Sequence, residues 1–315
     1  METKLFKNLR SMDFSQVLLE AENLLLKKSG TPKLHCAMLQ RCSETYRKEN
    51  TKDACRLFEI YSQYKPSSES FKETFNQLQE KLLPNLVEFR DCLSVLKTTS
   101  AYNTGSKEFY LAIHSKMLES FPEELHPKEV AIISNSFCNP LRQLPHRQSI
   151  YEPLENKISS SEYLVFTMQG FLLAQKGSPS FVPKVCRIFK DSLDNYNPSE
   201  LSHAIHLFTL FNYRDIEFYK LLEEQQCKLG SFQDWVDGAQ DLAGVGIYPE
   251  LFLQQILSQL EESRDLMQLT VVEWVLLKFK KTPPEHFVQK RRELTFLSNF
   301  SELKKHLKLR YWISN

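Results

Sequence analysis

The residues best suited to bind a ligand lie at the C-terminal end of the chain, from Lys278 to Asn315. Lys and Arg neutralise phosphates and aromatic rings stack on bases, so basic residues interleaved with Phe, Tyr and Trp are typical of a single-stranded RNA surface. Trp312 has two interpretations, because it could stack on a base or pack back onto the last helix. The candidate RNA-binding residues are Lys278, Lys280, Lys281, Lys290, Arg291, Arg292, Lys304, Lys305, Lys308, Arg310 and Trp312.

The charge of the chain is unevenly distributed, although its formal net charge is only +1. The segment from Lys278 onward holds 10 basic and 3 acidic residues, which gives +7, whereas the other 277 residues hold 30 basic and 36 acidic residues, which gives −6. A basic end on a mildly acidic body indicates contact with a polyanion. Two alternatives stay open, namely a solvated polar cap at the end of a helical array and a surface that docks onto an acidic protein.

The other residues that could do chemistry do not form a recognisable catalytic or metal-binding pattern. His203 and His206 are three positions apart and could share one helix face, but no Cys or carboxylate with ligand-like spacing accompanies them. The eight glycines are isolated and form no phosphate-binding loop, and there is no G-x-S-x-G motif. The sequence therefore predicts a protein that is not an enzyme, with no cofactor, no metal and no small-molecule substrate.

Cysteine usage and hydropathy bear on the compartment. The seven cysteines include no C-x-x-C pair and mostly fall within apolar helical patterns, which favours a reducing compartment. No run of about 18 apolar residues occurs, so we expect no membrane span. The N-terminal residues lack the apolar core of a secretory signal and match an organelle transit peptide only weakly, being poor in Arg and Ser.

A repeated segment indicates how these residues are positioned. The segment Asn197–Phe211 recurs in degraded form as His126–Cys138. Two further segments place apolar residues at two of the same positions, SEYLVFTMQGF between these copies and FQDWVDGAQDL after them. The repeat unit is therefore about 35 residues long, a length typical of stacked helical repeats. Leu201, Ala204 and Phe208 occupy the stacking positions, and we expect them to be buried.

This periodicity, together with scarce glycine, predicts an all-α protein, an α-solenoid of stacked helical hairpins with a period of about 35 residues. Residues 1–83 are predicted to form N-terminal hairpins of the same stack. Residues 84–294 are predicted to form the helical-repeat solenoid, and residues 295–315 a basic C-terminal helix or tail.

Within one hairpin, the apolar pattern predicts which side chains face the neighbouring helices. The second helix after Asn212 shows one stripe containing Ile216 and Tyr219, with Glu223 on the opposite, solvent-facing side. Trp235 and Trp274 fall near the middle of first helices, and both are predicted to be core residues between repeat units.

Two segments, HPKEVAIISNSF and NPSELSHAIHLFTLF, resemble the first helices of octotricopeptide and heptatricopeptide repeat proteins, which are related to the helical segments of FAST-kinase-like proteins. TPPEHF at Thr282–Phe287 is similar to the start of an octotricopeptide second helix, and the resemblance covers residues 84–294. It implies an α-solenoid in mitochondria or plastids. Such proteins bind RNA in transcript maturation and translation, or are structural parts of mitochondrial ribosomes.

The chain departs from these families in two respects, since it has no recognisable RAP domain and its repeat region is acidic. Both departures disfavour RNA cleavage and sequence-specific reading, and favour a scaffold that contacts RNA or protein. The predicted function is a non-enzymatic helical-repeat protein of a mitochondrial RNA–protein assembly. We expect the chain to be a subunit of a mitochondrial ribosome or an RNA-binding or processing factor. Its expected partners are ribosomal RNA or an organellar transcript, together with protein subunits. The alternative is a pure protein–protein scaffold or accessory subunit of another large organellar complex.

Overall fold

A computed structural model describes residues 2–27, 29–62, 69–138, 149–263 and 265–297. Within these ranges the chain forms seventeen α-helices and no strand, which confirms the all-α prediction. The helices are α1 (Glu2–Asn8), α2 (Phe14–Leu26), α3 (Pro32–Thr45), α4 (Thr51–Tyr61), α5 (Glu69–Leu82), α6 (Phe89–Ala101), α7 (Lys107–Glu119), α8 (Pro127–Phe137), α9 (Tyr151–Lys157), α10 (Leu164–Leu173), α11 (Phe181–Asp191), α12 (Pro198–Leu210), α13 (Ile216–Leu229), α14 (Phe232–Gly244), α15 (Glu250–Ser258), α16 (Leu266–Lys278) and α17 (Glu285–Leu297). None of the helices in the described ranges has the length and apolar character needed to cross a membrane.

The chain divides into two compact units. Unit 1 comprises Met1–Ile158 and Gln169–Lys176, and unit 2 comprises Ser159–Met168 and Gly177–Asn315. In unit 1, α2 packs on α3 and α4, α3 on α5, α4 on α6, and α6 on α7 and α8. In unit 2, α12 packs on α13 and α14, α13 on α15, and α14 on α15 and α16. In each of these pairs a helix contacts the next helix or the next but one, a packing pattern consistent with a helical repeat.

Several even-numbered helices begin with the same reciprocal cap. His126, Asn197 and Ser231 each precede a helix and receive a backbone N–H on the side chain, while an acidic side chain three positions later accepts their own backbone N–H. At Asn197 both of these hydrogen bonds measure 3.0 Å. This capping box provides hydrogen-bond acceptors for two backbone N–H groups that have no partner at an uncapped helix end. The recurring Pro-Ser-Glu and Pro-Lys-Glu residues of the repeat therefore cap the start of a helix.

Five even-numbered helices, among them α12 and α14 of the previous group, share a C-terminal cap that the sequence pattern does not indicate. Asn103, Gln175, Asn212, Gly246 and Lys280 all have positive φ, between 52° and 84°, just after α6, α10, α12, α14 and α16. In each case the N–H of the following residue bonds to the carbonyl five positions earlier, at 2.9 to 3.1 Å. This is the Schellman arrangement, and the last four caps are 37, 34 and 34 residues apart. Only one of the five is glycine, the residue by which such caps are usually recognised.

The buried positions of the repeat agree with the sequence pattern. Leu201, Ala204 and Phe208 are all 0% exposed, so their predicted burial is confirmed. The matching Val130 and Phe137 of the earlier copy are 2% and 4% exposed. These side chains form the interfaces between neighbouring helices.

The predicted inward stripe of α13 is wrong at two positions. Ile216 is 57% exposed and Glu223 only 2%. Asp215 caps α13 by accepting the N–H of Phe218 at 3.0 Å, so Ile216 is the first helical residue and projects into solvent. Glu223 instead lies inside, where its Oε1 accepts the N–H of Phe252 at 3.3 Å, in the first turn of α15.

The two tryptophans predicted as core residues differ. Trp235 is 4% exposed and its indole N–H donates to the carbonyl of Gln226 at 3.2 Å, so its prediction is confirmed. Trp274 is 36% exposed on α16, so its prediction as a core residue is wrong. The rings occupy different registers, because Trp235 matches the stacking position of Leu201 while Trp274 falls five residues beyond the equivalent Leu269.

Candidate nucleic-acid interface

The structure describes six of the eleven predicted RNA-binding residues and places them on two helices of unit 2. Lys304, Lys305, Lys308, Arg310 and Trp312 lie outside the described residues. Of the described six, Lys278, Lys280 and Lys281 surround the C-terminal end of α16, and Lys290, Arg291 and Arg292 lie on α17.

The lysines at the end of α16 are grouped by its C-terminal cap. Lys280 adopts the left-handed conformation, with φ 56°, and the N–H of Lys281 bonds to the carbonyl of Leu276 at 2.9 Å. The chain therefore turns sharply after Lys278, and the three basic side chains leave the same helix end. All three lysines are exposed. Cations also suit this place because the last carbonyls of a helix carry partial negative charge.

Two of these lysines lie against aromatic rings. The Nζ of Lys278 is 5.0 Å from the ring centroid of Trp274, and the Nζ of Lys281 is 5.5 Å from that of Tyr248. Trp274 is 36% and Tyr248 37% exposed, so both rings are partly accessible to solvent. We call Tyr248, Trp274, Lys278, Lys280 and Lys281 the lysine–aromatic edge.

The end of α14 lies beside this edge and leaves open space. The Nζ of Lys278 donates to the carbonyl of Gly244 at 3.5 Å, and Phe279 packs edge-on against Tyr248 with ring centroids 5.2 Å apart. A Cβ atom built on either Gly244 or Gly246 would meet nothing within 4 Å. Within the described part of the chain, no atom therefore lies against the Cβ positions of these two glycines.

The basic residues of α17 have different surroundings. The Nζ of Lys290 lies 3.0 Å from a carboxylate oxygen of Glu261, and the Lys290 side chain is only 15% exposed. Arg291 forms an ion pair with Glu273 of α16. Arg292 is exposed, and no ion pair is seen for it in the described part of the chain. Two of these three basic residues on α17 are thus already paired with acidic side chains of the protein.

His203 and His206 lie on α12, beside the acidic residues of α14. The Nδ1 of His206 is 3.1 Å from Oδ1 of Asp241, and this hydrogen bond, reinforced by the charges of Asp241 and Asp237, raises the pKa of His206. Burial, with a smaller contribution from His206, lowers the pKa of His203. Among the described residues no three His, Cys, Asp or Glu side chains are grouped to hold a metal ion. The geometry makes His206 part of a contact between neighbouring helices.

Unit 1 has an open cleft between the start of α2 and the end of α3. Its lining carries both signs of charge, from Asp13, Arg41 and Glu44 among others. Arg41 donates through Nε to the carbonyl of Met12 at 2.9 Å and pairs with Glu44 at 3.5 Å. These contacts join α3 to the chain before α2, so the polar groups of the cleft serve packing.

Sequence reasoning missed both rings of the lysine–aromatic edge. Trp274 stands one helical turn before Lys278, a spacing that places the two side chains on one helix face. That signal was present in the sequence. Tyr248 had no comparable signal, because it comes from the turn before α15 and only tertiary packing brings it to Lys281.

Comparison with known proteins gives no match, either to a family model or to a curated protein. The resemblance to octotricopeptide and heptatricopeptide repeats therefore stays a prediction from the quoted motifs.

Proposed function

We propose that this is a non-enzymatic helical-repeat protein that binds RNA through the lysine–aromatic edge and works within an RNA–protein assembly. One observation carries the proposal. Lys278, Lys280 and Lys281 project from a single helix end, exposed to solvent, and two accessible rings lie among them. Clustered ammonium groups attract a phosphate backbone, and each phosphate they neutralise releases counterions.

Two recurring features support the proposed solenoid with its period of about 35 residues. Side-chain hydrogen bonds recur at that separation within unit 2. His206 bonds to Asp241 and Gln268 to Gln233, each pair 35 residues apart. The Schellman caps after α10, α12, α14 and α16 recur at 34 to 37 residues. Both features are expected where one supersecondary unit repeats along a chain.

Membership of a mitochondrial ribosome, or of another organellar RNA–protein particle, rests on the resemblance of the two repeat segments. The proposed partners are ribosomal RNA or an organellar transcript together with protein subunits. Purification of the tagged chain from mitochondria would test this. Co-sedimentation with ribosomal subunits supports ribosome membership, and recovery of the chain only outside the organelle overturns the location.

The direct test of RNA binding is the dissociation constant of the full chain for a labelled single-stranded RNA, measured at increasing salt. We expect the logarithm of the binding constant to fall linearly with the logarithm of salt concentration, with a slope of about −2 for three neutralised phosphates. A chain that binds no RNA at about 50 mM salt would contradict the proposal. Removing Phe296–Asn315 in parallel measures how much the terminal basic residues add.

A protein-only scaffold is the second candidate, because exposed aliphatic side chains favour a protein partner. Leu210 is 54% and Leu277 58% exposed, each near the end of a first helix. Affinity purification before and after nuclease treatment separates the two candidates. Partners that remain after nuclease treatment favour the scaffold, and partners lost with the RNA favour the RNA-binding function.

A further inference from the structure

We propose that Trp274 and Tyr248 are base-stacking residues of the lysine–aromatic edge. The edge then binds unpaired nucleotides more tightly than a phosphate backbone that carries no bases. The assignment rests on the proposed RNA-binding function and names the form of RNA recognised. The two rings then determine the selectivity for unpaired bases. The sequence alone did not place either ring at the site.

The exposure of the rings is the first argument. Trp235, on the preceding first helix, is 4% exposed and uses its indole N–H in a buried hydrogen bond, which is the usual state of a packing tryptophan. Trp274 instead exposes about a third of its surface, although α16 packs against both α14 and α17. Part of a large π surface is therefore accessible to solvent next to the ammonium group of Lys278.

The second argument concerns what occupies the ring faces. Lys278 and Lys281 lie 5.0 and 5.5 Å from the centroids of Trp274 and Tyr248. An exposed cation–π contact strengthens an association about 2- to 5-fold, whereas stacking of a base on an aromatic side chain strengthens it about 5- to 150-fold. A base can therefore replace the ammonium group over the ring. The displaced lysine then pairs with a phosphate of the same strand.

The third argument is access. A Cβ atom at Gly244 or Gly246 would meet no atom of the described residues within 4 Å, so those residues leave space at the end of α14 beside Lys278. A base that enters from this side meets no side chain of α14. Stacking also requires an unpaired base, because the bases of a duplex already stack on one another. The edge should therefore discriminate between single-stranded and double-stranded RNA.

The experiment compares three probes on the full-length chain. They are a single-stranded oligouridylate of about 12 nucleotides, an abasic ribose-phosphate strand of the same length, and an RNA duplex of that length. We expect the wild-type chain to bind the oligouridylate about tenfold more tightly than either other probe. Trp274→Leu and Tyr248→Leu should each reduce this preference to about threefold and leave the affinity for the abasic strand within about twofold.

Two matched variants separate stacking from other contacts. Trp274→Phe keeps a ring and should keep most of the preference for bases. Leu277→Ala removes a more exposed aliphatic side chain from the same helix and should leave all three affinities unchanged. Thermal unfolding of every variant checks that the fold is intact, and Tyr248→Leu provides an independent test if Trp274→Leu does not fold.

The outcomes distinguish the two levels of the proposal. If the wild-type chain binds none of the probes, the proposed RNA-binding function fails. If it binds the oligouridylate and the abasic strand equally, or if Trp274→Leu and Tyr248→Leu retain the preference, RNA binding stands and base stacking is overturned. Binding of an acidic peptide that Leu277→Ala weakens, in place of RNA binding, would identify the edge as a protein-docking surface.

Discussion

Unit 2 contains two basic clusters that look alike in sequence and differ in their contacts. The lysine–aromatic edge presents Lys278, Lys280 and Lys281 to solvent, whereas on α17 Lys290 and Arg291 are paired with acidic side chains of the same unit. A basic residue already held by a carboxylate must lose that partner before it can neutralise a phosphate. The difference shows that a basic residue is available to bind a phosphate only where no carboxylate of the protein is already paired with it.

Glu223 extends this comparison to an acidic residue. Its helix pattern predicts a solvent-facing side chain, yet it is 2% exposed and accepts a backbone N–H from the start of α15. Glu223, Lys290 and Arg291 thus each join their own helix to another element of unit 2. The edge at the end of α16 is the contrasting region, in which charge is directed to solvent.

The largest expected effect is on folding stability and comes from Glu223→Gln. Burial raises the pKa of Glu223 from 4.5 to about 7, so the folded protein holds a proton that the unfolded chain releases between those values. The stabilisation from this proton is complete below about pH 4.5 and is lost as pH rises through about 7, which removes up to about 3 kcal/mol from the free energy of unfolding.

Glutamine keeps the carbonyl acceptor and never ionises. The variant should therefore gain stability relative to the wild-type chain as pH rises from about 5 to about 8, in chemical denaturation at each pH. A difference between the two proteins that does not change with pH would show that Glu223 is not held in a desolvated site.

The next largest effect should be on RNA affinity, from Lys278→Gln, Lys280→Gln and Lys281→Gln combined. Loss of three exposed charges should weaken binding of single-stranded RNA about 10- to 100-fold at low salt and reduce the salt slope by about 2. The melting temperature should change little, because the three side chains are exposed. Fluorescence anisotropy titrations at several salt concentrations measure both quantities, and an unchanged slope would exclude these lysines from the site.

A smaller effect should follow from Arg291→Leu, which removes the ion pair with Glu273. Glu273 is half-buried between α16 and α17, and the lost pair should lower the free energy of unfolding by about 1 kcal/mol. The matched control is Arg292→Leu at the neighbouring exposed position, where we expect a change within about 0.5 kcal/mol. Equal losses at the two positions would contradict the structural role assigned to Arg291.

The smallest effect should be a gain in stability from Lys280→Gly. Lys280 has φ 56°, a conformation that glycine adopts without the strain imposed by a Cβ atom, so the change should stabilise the fold by about 0.5–1 kcal/mol. Gly246→Ala is the reciprocal control, since Gly246 has φ 84° and alanine should destabilise the equivalent cap of α14. Because Lys280→Gly also removes one charge of the edge, the variant should be more stable and yet bind RNA more weakly.

The sequence was sufficient to predict the all-α class, the burial of Leu201, Ala204 and Phe208, and the basic residues at the end of α16 and on α17. These features depend on local patterns of apolar residues, caps and charges. It was not sufficient to predict that α13 buries Glu223 and exposes Ile216. That orientation depends on where the Asp215 cap begins the helix and on the start of α15, which lies 27 residues after Glu223.

The candidate site was predicted in part for the same reason. The lysines were recognised from composition, but Tyr248 reaches Lys281 only through the packing of α14 and α16. The acidic partners that neutralise Lys290 and Arg291 are 29 and 18 residues away, in other elements. Such pairing is set by tertiary structure, and a single sequence does not specify it.

The most direct test uses two variants that each remove three positive charges. One carries glutamine at Lys278, Lys280 and Lys281, and the other carries glutamine at Lys290, Arg291 and Arg292. Their affinities for the same single-stranded RNA are measured in the same buffer, with circular dichroism to show that both are folded. The first variant should lose at least about tenfold in affinity and the second less than about threefold. Equal losses would contradict the central claim, because they would show that net charge, and not the exposed edge at the end of α16, determines binding.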